Sequence, residues 1–102
     1  MPRGGKRLRT VEGKLNAIGR RVAARRTEMD LEQDQVCARI AAATDGEWVP
    51  GEQDLSRVER GTRMVSDLEV RVLAHVLECR PEWLLIGQEP MRAAQPEALK
   101  LS

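Results

Sequence analysis

The chain has no phenylalanine and no tyrosine, and its only aromatic side chains are Trp48 and Trp83. Any core must therefore be assembled from Val, Leu, Ile and Ala. Long apolar runs are missing as well. No stretch approaches the ~20 residues of a membrane-spanning helix, and the opening MPRGGKRLR lacks the apolar segment of a secretion leader. Alternating β-branched runs are absent, which points to an all-α domain. Cysteine is scarce. Cys37 and Cys79 lie far apart, form no CxxC pair and fall on apolar stripes, the pattern of buried reduced thiols in a cytoplasmic protein. The single histidine, His75, precedes Cys79 by four residues. Two such side chains fall short of the four ligands of a closed zinc site, so His75 reads as an ordinary helix residue. Ser56 and Ser66 have no His/Asp set near them, and Gly4-Gly5-Lys6 follows no strand that would make it a phosphate loop. No metal, no cofactor and no enzyme activity is expected.

What is present is charge, unevenly placed. The 102 residues fit one domain and carry a net charge of +1. Residues 1–26 hold nine Lys/Arg and one acid, a charge of +8, whereas the remainder holds eight Lys/Arg and fifteen acids, a charge of −7. A basic leading quarter on an acidic body suits a polyanion partner on one side, or a basic arm that only aids solubility.

The apolar spacing sets out five helices. Residues 1–14 read as a flexible basic arm. An apolar series at Leu8, Val11, Leu15, Ile18 and Val22 has helical spacing, and helix 1 is expected from about Leu15 to Thr27, with Asn16 available as a cap. Helix 2 is expected from Glu32 to Ala43, with Val36, Cys37, Ile40 and Ala41 inward. The stretch 44–51, TDGEWVPG, reads as a loop. Helix 3 spans Glu52–Arg60 and stops at Gly61. Ser66-Asp67-Leu68-Glu69 is a capping box that opens helix 4, which Arg80-Pro81 is expected to stop. Pro81 begins helix 5, Gly87 closes it, and residues 88–102 read as a short tail.

Four pieces in order carry a family resemblance. Ile18-Gly19-Arg20-Arg21-Val22 with Arg26 and Leu31-Glu32-Gln33 is similar to the opening of the lambda-repressor-like (Cro-type, xenobiotic-response-element) helix-turn-helix regulators. Leu55-Ser56-Arg57-Val58-Glu59-Arg60-Gly61 resembles their recognition helix and its stop. Val65-Ser66-Asp67-Leu68-Glu69-Val70 and Pro81-Glu82-Trp83-Leu84-Leu85-Ile86-Gly87 resemble their last two helices. The resemblance covers about residues 15–87 and implies a five-helix domain. It departs from the common pattern in the nineteen positions from Val36 to Leu55, an extended turn before the recognition helix like that of a branch with a Gly-Trp-like pair; Gly46-Glu47-Trp48 is similar to it. Trp48 reads as an apolar plug under that loop, with contact to DNA backbone or to a second subunit as the alternatives.

The resemblance implies a DNA-binding transcriptional regulator, a repressor by preference, that inserts helix 52–60 into the major groove as a homodimer on a double-stranded palindromic operator. Glu52, Gln53, Asp54 and Arg57 become the candidate base contacts: Gln53 suits adenine, Arg57 guanine, and the two acids can accept from cytosine N4. Gln33, Ser56, Arg60, Arg63, Arg20 and Arg21 become the candidate phosphate contacts, joined by the arm cations Arg3, Lys6, Arg7 and Arg9. Arg26 and Glu59 match an internal ion pair of the family. The alternative is an antitoxin or regulatory adaptor that uses the same fold to bind a partner protein.

Overall fold

Asn16, not an apolar residue, decides where the first helix begins. In the computed structural model, which describes residues 7–92 and 98–101, its side-chain oxygen accepts from the backbone N–H groups of Ile18 (3.1 Å) and Gly19 (2.9 Å). Those donors lie at the leading end of α1 (Gly19–Glu28) and have no partner within the helix. The expected start near Leu15 is thus four residues too early. Leu8 and Val11, read above as the first members of the stripe, are 95% and 106% exposed. Residues 10–14 close a tight turn instead: the Thr10 N–H donates to the Lys14 carbonyl and the Gly13 N–H to the Thr10 carbonyl.

Four further helices follow: α2 (Gln33–Ala43), α3 (Glu52–Arg60), α4 (Asp67–Val76) and α5 (Pro81–Ile86), and the described residues contain no strand. The all-α expectation holds. Glu32 precedes α2, and its N–H donates to the Gln35 side chain at 2.7 Å. Ser66 caps α4 reciprocally with Glu69, as the S-D-L-E spacing predicts. Gly61 stops α3 in the left-handed region at φ 77°, where an L side chain is strained.

The end of α4 departs from expectation. It closes at Val76, not at Arg80, and Glu78 turns the chain at φ 55°. Arg80 is extended, at φ −78° and ψ 140°, because the residue before a proline is pushed out of the helical region. A second cause comes from α1. Arg25, only 6% exposed, donates from Nε to the Leu77 carbonyl at 2.8 Å. It so satisfies one of the acceptors that the helix end leaves open.

Ile18, Val22, Val36, Ile40, Leu55, Val58, Leu73, Leu77 and Leu84 form the centre of the core, with nearly no exposed surface. It contains no aromatic ring; Trp48 and Trp83 pack at its edge. The helices α1 and α3 approach closely at Gly19. A Cβ built there would collide with the Val58 and Glu59 carbonyl oxygens, so only glycine permits this spacing. The tail is partly docked. The Arg80 N–H donates to the Met91 carbonyl, and Leu99 and Leu101 pack against the core. No helix among the described residues is long and apolar enough to cross a membrane.

Candidate functional site

On α3, Leu55 and Val58 point inward and are 2% and 1% exposed. At about 3.6 residues per turn the opposite stripe consists of Gln53, Ser56, Arg57 and Arg60. Gln53, Arg57 and Arg60 are exposed, Ser56 is half-buried, and neither arginine makes an ion pair among the described residues. Glu52 is exposed at the leading end and is also without an ion-pair partner there.

The inner rim of α3 is the reverse: every charge is matched. Glu59 accepts from Arg26 Nε at 2.7 Å and from Arg26 Nη2 at 3.1 Å. This is a two-pronged contact between α1 and α3, the geometry that suits a guanidinium and a carboxylate best. Gln33 Nε2 donates to the same carboxylate at 3.1 Å, tying the start of α2 into the joint. The carboxylate of Glu59 raises the Arg26 pKa, against the opposing effect of burial. Asn16 completes the junction. Its amide nitrogen donates to the carbonyls of Val58 (3.1 Å) and Arg63 (2.8 Å), so one side chain starts α1 and closes α3.

The family resemblance puts Asp54 and Arg63 at DNA, but they face each other. Arg63 Nε donates to Asp54 Oδ1 at 2.9 Å, and its two terminal nitrogens donate to both oxygens of Glu69 at 2.9 and 3.0 Å. The guanidinium carbon also lies 5.9 Å from the Trp48 ring centre. The hydrogen bond from Arg63 holds the Glu69 carboxyl below its ordinary pKa, and the same pairing raises that of Arg63. Asp54 and Arg63, expected above at a base and at phosphate, are half-buried and paired within the protein, whereas Gln53, Arg57 and Arg60 are exposed.

Two helix 1 arginines also have partners. Arg21, expected above at phosphate, donates to the Leu84 carbonyl at 3.1 Å and lies against Gly87, at the end of α5 rather than beside α3. Arg20 pairs with Glu12 at 3.2 Å on an open surface, a weak contact that a stronger anion can displace. Arg3 and Lys6 lie outside the described residues, and Arg7 and Arg9 are exposed.

Sequence reasoning missed Lys14. The Leu15 N–H donates to the Gly61 carbonyl at 2.7 Å, and this bond brings the exposed Lys14 chain against Gly61, beside the last turn of α3. No periodicity carries that signal, because it depends on how residues 10–15 turn. The role of Thr44 is equally invisible in the sequence: its hydroxyl donates to the Ile40 carbonyl and accepts from the Trp48 N–H, setting the course of the 44–51 loop.

The acids are informative too. Glu32, Asp34 and Glu52 are exposed and make no ion pair among the described residues. Burial, then the field of Glu52, Asp34, Asp54 and Glu59, pushes the Cys37 thiol pKa up. Burial lifts Cys79 to about 11. Both are free cysteines. The described residues bring together no group of three metal-ligating side chains. The chain matches no family model, no curated protein and no solved structure.

Proposed function

We propose that the protein is a sequence-specific DNA-binding transcriptional regulator of the lambda-repressor-like helix-turn-helix kind, a repressor that reads the major groove with α3. One observation carries this reading. The inner rim of α3 is pinned by Leu55, Val58 and the Arg26–Glu59–Gln33 contact, while Gln53, Arg57 and Arg60 stand outward, the two arginines with no ion-pair partner among the described residues. A helix held on one side and unpaired on the other is what direct readout requires, since base edges are recognised by free donors and acceptors. Gln53 and Arg57 take the base edges with Glu52. Arg60 grips phosphate, and Lys14 and Arg20 add charge; the Gln33 side chain stays with the inner joint. One such helix covers too few bases for a specific site, so two copies on a two-fold symmetric operator complete the reading.

Titration of fluorescent duplexes at stepped salt tests this proposal. Tight binding whose logarithm falls linearly with log salt, at about 0.9 per neutralised phosphate, is expected. Binding with no salt dependence, or none at low salt, overturns it.

A second reading has its own support. Unpaired Glu32, Asp34 and Glu52 give this neighbourhood an acidic field. Such a field disfavours a polyanion and suits a basic protein partner, as in an antitoxin or adaptor. Charge reversal at Asp34, which the first reading places at no base edge, separates the two: Asp34→Lys strengthens duplex binding in the first reading and weakens partner capture in the second.

A further inference from the structure

Arg63 joins three segments that are separate in sequence. It holds Asp54 in the first turn of α3, Glu69 in the first turn of α4 and, through the ring face, Trp48 in the loop before α3. Its fourth contact is its own backbone: its carbonyl accepts from Asn16, which starts α1. All three guanidinium nitrogens donate within the protein, and Nη1 adds a bond to the Met64 carbonyl at 2.9 Å. A planar fork can serve two carboxylates and a ring face together, which a lysine ammonium cannot.

We propose that Arg63 is a positioning residue: it fixes the 44–51 loop and the leading turn of α3 against α4, and so sets the direction in which Glu52, Gln53 and Arg57 are presented. This deepens the DNA reading and rests on it for the word "presented". The clamp itself is a property of the free protein. Asp54 is then part of the mounting and not a reader, and affinity depends on Arg63 without any contact between Arg63 and phosphate.

The test compares Arg63→Lys and Arg63→Gln with the unaltered chain. Hydrogen exchange of the free protein is expected to speed up roughly tenfold or more over 45–55 in both variants, with the amides of Val22, Ile40 and Leu73 unchanged. On a bound duplex, both variants lose affinity about tenfold with the salt slope intact. A phosphate contact behaves otherwise: lysine restores binding, and glutamine lowers the slope by about 0.9. That pattern overturns the proposal, as does unchanged exchange over 45–55. Acceleration spread evenly over all five helices also overturns it, since Arg63 would then serve the whole fold. Trp48→Phe and Trp48→Leu provide a milder pair: the phenyl ring is expected to keep loop protection and leucine to lose it. If no duplex binds the unaltered chain, the DNA reading fails alone, and exchange still decides the role of Arg63.

Discussion

The two sides of α3 are built on opposite rules. On the inner side every polar group is answered: Glu59 by Arg26 and Gln33, Asp54 by Arg63, and the Val58 carbonyl by Asn16. On the outer side Gln53, Arg57 and Arg60 face solvent, the two arginines unpaired among the described residues. Half-buried charges without partners are expensive, so pairing on the inner side is a condition of folding. Exposed charges carry no such penalty, so the outer side is free to be chosen for something else. The comparison therefore sorts side chains of the same type, arginines above all, into those that hold the helix and those available to a ligand.

The largest expected effect lies on the inner side. Glu59→Ala leaves the guanidinium of Arg26, 18% exposed, without its partner and frees Gln33. A loss of roughly 3–5 kcal/mol in urea unfolding is expected. Arg57→Ala, two residues away on the outer side, is expected to change stability by less than about 0.5 kcal/mol. Equal losses would dissolve the distinction.

Gly19→Ala comes next, with a sign that propensity alone gets wrong. Alanine favours an isolated helix by about 1 kcal/mol. Here its methyl meets the Val58 carbonyl, so the variant is expected to be less stable by about 1–3 kcal/mol in thermal unfolding. Stabilisation would mean that α1 and α3 separate easily.

The outer side is tested by binding. Arg57→Ala is expected to lose about 1–3 kcal/mol at its own base position, whereas Arg60→Ala weakens all duplexes alike and lowers the salt slope.

The smallest effect is in acid. Arg63 holds the folded-state pKa of Glu69 below the ordinary value, so this carboxylate stabilises the fold above that ordinary value. The contribution is lost as pH falls through the lowered one. Glu69→Gln is therefore expected to flatten the decline in stability on acidification, measured by urea midpoints from neutrality downward.

The local elements were legible in the sequence because local chemistry makes them. Gly61, the Ser66–Glu69 box and Pro81 each mark a helix boundary without help from distant residues. The positions that failed depend on distant ones. Asn16 takes the first N–H groups of helix 1 while its amide is bound across to α3, and Arg25 of α1 takes a carbonyl at the end of α4, beside the local effect of Pro81. The Arg26–Glu59 contact, 33 residues apart, entered the reading only through a family resemblance. Composition could not distinguish the arginines, since Arg63 and Arg60 look alike until Asp54 and Glu69 are seen around one of them.

Selection of bound duplexes from a random pool, run in parallel with the unaltered chain and Arg57→Ala, tests most directly whether the outer side of α3 reads sequence. The account predicts an enriched motif of two half-sites about one helical turn apart, degenerate at one position per half-site in the variant. No enrichment, or an identical motif from both proteins, would contradict it.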